Sequence, residues 1–291
     1  MTAANAAGNA DQIAYWNAEV GERWAAQQAR LDALIAPFGA AALTLAAPQP
    51  GERALDIGCG CGDTTFALAD AVGPEGRVLG VDVSAPMLAR AKERMKARMA
   101  ELAGAHGAVS FLEADAATAP LPTGHDLLYS RFGVMFFADP VGAFAAMRRA
   151  LKPGARVAFA CWRTVAENPW MVLPMAAGVQ ALGRSPPPSD PHAPGPFAFA
   201  DDARVRAILE AAGYERVALT PFDVAMTLGG DAMAAARLSM EVGPLGGLVR
   251  EAGESAAPVL LAAVAAALAP YEKPDGVRLM GGVWLVTARA P

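Results

Sequence analysis

A short apolar run leads directly into three glycines in the stretch Ala54-Leu55-Asp56-Ile57-Gly58-Cys59-Gly60-Cys61-Gly62. The run has the length and composition of a buried strand, and residues 63–69 begin like a helix with Asp63 or Thr64 as its cap. Glycine is needed where the backbone takes a positive φ or lies against a ligand without a Cβ between them. The stretch therefore predicts a strand, a loop that can cradle a ligand, and a helix.

The glycine spacing and the acid together narrow the class of ligand. The loop reads Gly-x-Gly-x-Gly, so the third glycine of the dinucleotide pattern Gly-x-Gly-x-x-Gly would fall on Asp63. No Lys-Ser or Lys-Thr pair closes a P-loop after the glycines. The carboxylate of Asp56, at the end of the strand, repels a pyrophosphate and attracts an ammonium or sulfonium group. The stretch thus favours a cationic ligand.

Two further apolar runs are closed by acids. Asp82 ends the predicted strand at 77–82, and Asp115 follows the predicted strand at 109–113. In an open parallel sheet, an acid at the end of the second strand reaches the ribose hydroxyls of a bound nucleoside and offers two acceptor oxygens. Asp115 is placed where it can accept a hydrogen bond from an adenine amino group. Three acids therefore close three successive strands.

In order and spacing, these motifs resemble those of the class I S-adenosylmethionine-dependent methyltransferases. The motifs that carry the resemblance are Leu55-Asp56-Ile57-Gly58-Cys59-Gly60-Cys61-Gly62, Val81-Asp82, Glu113-Ala114-Asp115-Ala116, Asp126-Leu127-Leu128-Tyr129-Ser130 and Leu151-Lys152-Pro153-Gly154-Ala155. The resemblance is strong over residues 50–163 and holds in outline elsewhere. It implies S-adenosylmethionine as the cofactor and says little about the substrate.

The resemblance also implies a role for each motif. Asp56 and the glycine loop would hold the methionine end of the cofactor, and Asp82 the ribose. Asp115 and Ala116 would hold the adenine, with Met87 packed on its face. The full set of predicted cofactor-binding residues is Asp56, Gly58, Gly60, Gly62, Asp82, Val83, Met87, Asp115, Ala116, Ser130, Trp16 and Trp24.

Strand-like and helix-like segments alternate from residue 51 to residue 160, which predicts a parallel sheet with right-handed crossovers. Two later strand candidates, at 214–222 and 282–289, complete the seven strands that the resemblance implies. The predicted fold class is α/β, a seven-stranded, mostly parallel, doubly wound sheet with a helical N-terminal lid and a helical, proline-rich cap insertion. The predicted division is a lid at 1–47, a methyltransferase core at 48–163 and 201–291, and a cap over the substrate mouth at 164–200.

The N-terminal segment is the first of the two predicted additions to the core. Residues 11–47 have apolar side chains at helical spacing, with a predicted break at Pro37 and Gly39. Trp16 and Trp24 could share one helix face, either anchoring the segment to the core or lidding the cofactor through cation–π contacts of about 0.5–2 kcal/mol.

The cap stretch at 184–199 is too rich in proline for a helix or a central strand. Its prolines are Pro186, Pro187, Pro188, Pro191, Pro194 and Pro196. A linker is one interpretation. An ordered loop over the substrate mouth is preferred, because Phe197 and Phe199 supply large apolar side chains that such a loop can bury.

A catalytic base is not evident from the residues. In-line methyl transfer mainly requires alignment, with reacting atoms about 3–3.5 Å apart, although a neutral hydroxyl acceptor would want a general base. The candidates near the methyl group are Tyr15, Arg131, Arg163 and His192. Arg131 is a charge within an apolar run, so it is predicted to pair with a carboxylate of the protein, the cofactor or the substrate, in that order.

Composition and cysteine usage limit the class of protein, its partners and its location. The chain is 54% hydrophobic and 18% charged, as in a globular protein with a large core. Its net charge of −5 argues against a nucleic-acid partner. It shows no secretory signal and no apolar stretch judged long enough to span a membrane, so a cytoplasmic location without membrane association is predicted. Cys59, Cys61 and Cys161 suit small buried positions better than a disulfide or zinc site, and no metal is predicted.

These observations predict a cytoplasmic methyltransferase that uses S-adenosylmethionine. Its acceptor would be a small molecule that takes the methyl group on O, N, S or C, and the protein would be a monomer or homodimer. Three alternatives stay open: a non-catalytic S-adenosylmethionine-binding or regulatory protein, a protein or RNA methyltransferase, and a dehydrogenase that binds NAD.

Overall fold

The computed structural model describes residues 3–102, 106–185 and 190–291. Pro186, Pro187 and Pro188 of the predicted cap lie outside these residues. The chain forms two compact units. Unit 1 comprises Met1–Cys161, His192–Pro221 and Trp284–Pro291, and unit 2 comprises Trp162–Pro191 and Phe222–Val283. The predicted lid, core and cap are a division by role, and that division stays a prediction.

Helices and strands alternate through the first half of the chain. In order they are α1 (Ala3–Asn17), α2 (Glu19–Ala26), α3 (Gln28–Ala46), β1 (Arg53–Ile57), α4 (Asp63–Val72), β2 (Arg77–Asp82), α5 (Ala85–Leu102), β3 (Ala108–Glu113), β4 (His125–Arg131), α6 (Pro140–Arg148) and β5 (Leu151–Trp162). The second half contains α7 (Pro169–Ala181), α8 (Asp202–Ala211), β6 (Glu215–Gly229), α9 (Ala232–Glu241), α10 (Pro244–Ala252), α11 (Ala257–Leu268), β7 (Glu272–Lys273) and β8 (Gly276–Arg289).

The strands form one sheet in the order β3-β2-β1-β4-β5-β8-β6, with the short β7 paired antiparallel to β8. The five strands from β3 to β5 are mutually parallel. The strand order reverses between β1 and β4, and ligands of doubly wound sheets bind at such a switch point, outside the carboxyl ends of the strands. This sheet confirms the predicted α/β fold class.

The core explains why β1 is a continuous apolar run. Parallel strands are covered on both faces and therefore lack an alternating polar side. Leu55 and Ala54 are 0% exposed and Ile57 is 2% exposed. Asp56 lies in the same strand and is also fully buried, so its carboxyl group needs partners at the strand's end.

The predicted helix break at Pro37 is wrong, because α3 runs from Gln28 to Ala46 with Pro37 inside it. An internal proline costs about 3 kcal/mol. The same helix buries Leu34, Ile35 and Phe38, and full burial of each such side chain contributes about 1.5–3 kcal/mol. Packing therefore outweighs the local penalty.

Other predicted boundaries also shift. Trp16 and Trp24 do not share a helix, since α1 ends at Asn17 and α2 begins at Glu19. Strand β6 extends to Gly229, well beyond the predicted end at residue 222, and α10 was not predicted.

Two helical stretches, Gln28–Ala46 and Glu254–Tyr271, are long and apolar enough to span a membrane. The sequence-based judgement that no stretch reaches that length was therefore wrong. A buried core helix meets the same length and composition criteria. In this protein α3 packs against β4, and α11 packs against α7 and α9.

Candidate functional site

The glycine loop after β1 adopts backbone angles that favour glycine. Gly58, Gly60 and Gly62 have φ values of 66°, 52° and 85°. A Cβ on Gly58 would lie 2.6 Å from the Cα of Gly133, and a Cβ on Gly60 would lie 2.9 Å from Cε of Met87. At Gly58 the loop is pressed against backbone, which leaves no room for a side chain, whereas at Gly60 the neighbour is the flexible end of Met87.

Asp56 has one satisfied and one unsatisfied carboxylate oxygen. Its Oδ2 accepts hydrogen bonds from the hydroxyls of Thr64 (2.8 Å) and Thr65 (2.7 Å) at the start of α4. Its Oδ1 is buried and has no hydrogen-bond partner among the described residues. Burial raises the pKa of Asp56 to about 6, although the two hydroxyls act in the opposite direction. A buried polar atom without a partner is costly, so Oδ1 is suited to a ligand that donates.

Asp82 braces the glycine loop. Its Oδ2 accepts from the backbone N–H of Gly60 at 2.8 Å, and its Oδ1 accepts from the N–H of Ser84 at 2.9 Å. Burial raises the pKa of this carboxyl group above its usual value. Each carboxylate oxygen can accept a second bond, so the predicted ribose contact is compatible with this bracing and stays a prediction.

Asp115 is contacted by the N-terminal helix. Its Oδ2 accepts from the Asn9 amide at 2.7 Å and from the Thr118 hydroxyl at 3.0 Å. Its Oδ1 accepts from Ala117 N at 2.9 Å. The amide of Asn9 is the same kind of donor as the adenine amino group predicted for this carboxylate.

Helix α1 contacts the chain just after β2 as well as after β3. The Asn17 amide donates to Val83 O at 2.8 Å and accepts from Ala85 N at 2.9 Å. The Ser84 hydroxyl donates to Trp16 O at 2.8 Å. Sequence reasoning missed Asn9 and Asn17, because a single asparagine in an alanine-rich helix shows no distinctive spacing.

The aromatic residues of this segment form a cluster. The ring of Trp16 makes edge contacts with Trp24, with centroids 5.7 Å apart, and with Phe136 after β4, at 5.2 Å. These contacts are those of an anchor that holds α1 and α2 to the chain beyond β4. The alternative role, a lid over a sulfonium, stays a prediction.

Ser130 joins the ends of the two strands at the switch point. It is fully buried, and its hydroxyl donates to Ile57 O at 2.7 Å and accepts from Gly133 N at 3.2 Å. Ala116 and Met87 are also buried near this edge of the sheet. The ends of β1, β2, β3 and β4 therefore bring together the residues predicted from separate motifs.

The candidate catalytic residues differ in their partners, in their exposure and in the unit to which they belong. Arg131 pairs with two carboxylates of the protein itself, Asp63 and Asp32, which confirms the first-ranked prediction for it. Tyr15 on α1 is 45% exposed, and His192 lies in an exposed turn of unit 1. Arg163 belongs to unit 2, where it pairs with Asp223 at 2.9 Å and with Glu167.

The three cysteines are buried free thiols. Burial raises the pKa of Cys61 to about 12 and that of Cys59 well above its usual value. Thiols that stay protonated are poor nucleophiles, so the cysteines of the loop serve as small packing residues.

The fold and this edge define a doubly wound α/β protein with acids at the carboxyl ends of successive strands. Residues 54–154 match the family model described as a methyltransferase domain. Over these residues the match confirms the predicted resemblance to the class I S-adenosylmethionine-dependent methyltransferases.

Two curated relatives resemble part of the chain. Aklanonic acid methyltransferase DauC of Streptomyces sp. (strain C5) is 36% identical over 124 residues, which cover 42% of this chain and 54% of the relative. Demethylmenaquinone methyltransferase of Geobacillus stearothermophilus is 39% identical over 107 residues, 36% of this chain and 43% of the relative. The chain thus spans about half the length of the curated relatives it matches.

Solved structures resemble the chain more widely but at low identity. Phosphoethanolamine N-methyltransferase 2 of Haemonchus contortus, in complex with phosphomonomethylethanolamine and S-adenosylhomocysteine, has a TM-score of 0.51 and 21% identity, over 88% of this chain and 52% of that chain. The [4+2]-cyclase SpnF has a TM-score of 0.50 and 21% identity, over 88% of this chain and 80% of that chain. At such identities the likeness concerns the fold alone.

Proposed function

We propose that this protein transfers a methyl group from S-adenosylmethionine to a small-molecule acceptor. The observation that carries the proposal is the buried Oδ1 of Asp56, which has no hydrogen-bond partner among the described residues and lies at the end of β1 next to the glycine loop. An acid in that position suits the cationic end of the cofactor. The relatives named for aklanonic acid and demethylmenaquinone support a small-molecule acceptor.

The residues at the edge fit this cofactor. Asp56 and the backbone of the glycine loop would hold the methionine end, the free lone pairs of Asp82 the ribose, and Asp115 with Ala116 the adenine. Met87, already packed beside Gly60, would lie against the adenine face. When bound, the cofactor supplies an electrophilic methyl group carried on sulfur.

The chain's own part is orientation and exclusion of water. Thr64 and Thr65 fix the Asp56 carboxylate. Asn9, Trp16 and Asn17 hold α1 against the residues that follow β3 and β2, where α1 would close the site. A closed site strengthens every electrostatic contact within it. An acceptor that is already nucleophilic then needs alignment alone. A cytoplasmic location and a monomeric or dimeric state are part of this proposal.

The test is calorimetric titration with S-adenosylmethionine and, separately, with NAD. It is followed by incubation with a panel of small phenolic, quinol, amine and thiol acceptors, in which S-adenosylhomocysteine is measured. Binding of S-adenosylmethionine without NAD binding, together with acceptor-dependent S-adenosylhomocysteine, is the expected result. Binding of NAD alone would instead support a dehydrogenase.

A second candidate is a protein that uses this fold for another reaction, or only binds the cofactor. The candidate is kept because the fold also resembles that of the [4+2]-cyclase SpnF and a shared fold does not decide the chemistry. Tight S-adenosylmethionine binding without S-adenosylhomocysteine from any acceptor would support this candidate.

A further inference from the structure

Four charged side chains next to the glycine loop form a closed ring of ion pairs. Arg131 pairs with Asp63 at 2.9 Å and with Asp32 at 3.2 Å. Arg94 pairs with the other oxygen of each acid, with Asp32 at 3.0 Å and with Asp63 at 3.5 Å. Both oxygens of both carboxylates are therefore occupied, each by a different guanidinium.

The ring is shielded from water to different degrees. The side chains of Arg131 and Asp32 are 9% and 17% exposed, and those of Arg94 and Asp63 are 22% and 34% exposed. A Cβ on Gly39 of α3 would lie 3.0 Å from Cδ of Arg131, so the arginine stem packs directly on that helix. Charges in such a setting are weakly screened by salt, and loss of one partner leaves another charge uncompensated.

The ring joins helix α3 to the glycine loop. Asp63 is the first residue of α4 and follows Gly62 directly. Arg94 also donates to Cys61 O within the loop at 2.7 Å. Asp32 lies on α3, so this helix holds the loop from outside through two arginines that come from α5 and from the end of β4.

We propose that Arg131, Arg94 and Asp32 are positioning residues that set cofactor affinity by holding residues 60–63 in the binding conformation. The inference rests on the proposed function for its affinity readout. Arg94 and Arg131 contact this segment directly, at Cys61 and Asp63. Asp32 acts on it through the two arginines. A purely structural ring would change stability and leave the loop and the affinity as they are.

The test compares Arg131→Lys with a matched change at the other end of α3. Arg156 donates to Ala46 O at 3.0 Å and pairs with Glu52, and thereby ties the C-terminus of α3 to the start of β1. Lysine keeps the charge in both variants but has no planar fork to bridge two partners. The measurements are thermal unfolding, calorimetric affinity for S-adenosylmethionine, and amide hydrogen exchange at residues 60–63 without ligand.

Arg131→Lys is expected to weaken cofactor binding about tenfold, the scale of one charged hydrogen bond, and to speed exchange in the loop. Arg156→Lys is expected to lower the melting temperature while affinity stays within about twofold. Equal effects of the two variants on affinity and exchange would overturn the proposal. If Arg131→Lys does not fold, Asp32→Asn replaces it with the same expectation.

The two proposals fail separately. Absence of S-adenosylmethionine binding by the wild-type protein would refute the proposed function, and loop exchange would still test the ring. Wild-type binding together with unchanged affinity and exchange in Arg131→Lys would refute the ring alone.

Discussion

The buried acid at the carboxyl edge of the sheet and the acid at the amino edge differ in their hydrogen-bond partners and in the direction of their pKa shifts. At the carboxyl edge, Asp56 keeps an oxygen without a hydrogen-bond partner among the described residues, and burial raises its pKa to about 6. At the amino edge, burial would raise the pKa of Asp126, but hydrogen bonds from Lys152 and Arg53 N together with nearby cations lower it overall. The satisfied acid stabilises the fold. The unsatisfied acid costs stability, which is typical of a ligand-binding position.

The largest expected contrast between the edges comes from two glycines with positive φ. Gly58 at the carboxyl edge and Gly154 at the amino edge have φ values of 66° and 77°. A Cβ on Gly58 meets the backbone of Gly133, whereas a Cβ on Gly154 meets nothing within 4 Å. Gly154→Ala should cost about 1–2 kcal/mol of unfolding free energy from strain alone, and Gly58→Ala about 2–5 kcal/mol.

Denaturant unfolding of the two glycine variants measures this difference. Equal losses would mean that the chain after β4 moves away from Gly58 easily, so that the loop is not fixed from that side.

The next contrast concerns ligand affinity. Asp56→Asn keeps the shape of the side chain and removes its charge, so binding of S-adenosylmethionine should weaken by about 1.5–3 kcal/mol. Asp126→Asn makes the same change at the amino edge and should leave affinity unchanged. Calorimetry on both variants decides the matter, and a wild-type affinity in Asp56→Asn would remove this acid from the site.

The third contrast is the sign of the pH dependence. Because the folded-state pKa of Asp56 is about 6 against a usual value of 3.8, the native state holds this proton more tightly than the unfolded state. The stabilisation of the folded state that comes from this tighter proton binding is therefore fully present below pH 3.8 and is lost as pH rises through about 6. The total change in unfolding free energy is at most ~3 kcal/mol. The lowered pKa of Asp126 acts oppositely, since its contribution is lost as pH falls below 3.8.

Unfolding of the ligand-free protein from pH 4 to pH 7 tests this sign. Asp56→Asn should gain stability over the wild type as pH rises across the window, and Asp126→Asn should not. A difference between wild type and Asp56→Asn that does not vary with pH would show that folding leaves the pKa of Asp56 unchanged.

The pattern of acids and strands was readable from the sequence because it is local. Asp56, Asp82 and Asp115 each lie at or just after the end of an apolar run of strand length, and the topology of the sheet brings these strand ends together. The ring of ion pairs could not be predicted from the sequence. Arg131 and Asp32 are 99 positions apart, and the residues around each of them give no sign that the two pair. The helix break predicted at Pro37 was wrong, because the packing of α3 outweighs the local cost of the proline.

The smallest expected effect belongs to α1, which contacts the residues just after β2 and β3. Asn9→Ala removes the donor at 2.7 Å from Asp115, a loss of about 0.5–1.5 kcal/mol. If α1 stays closed over bound cofactor, this variant should release S-adenosylmethionine several-fold faster in stopped-flow measurements. Thr118→Ala removes another donor from the same carboxylate without touching α1 and should release it at the wild-type rate. Tighter binding by Asn9→Ala would show instead that Asn9 competes with the ligand for Asp115.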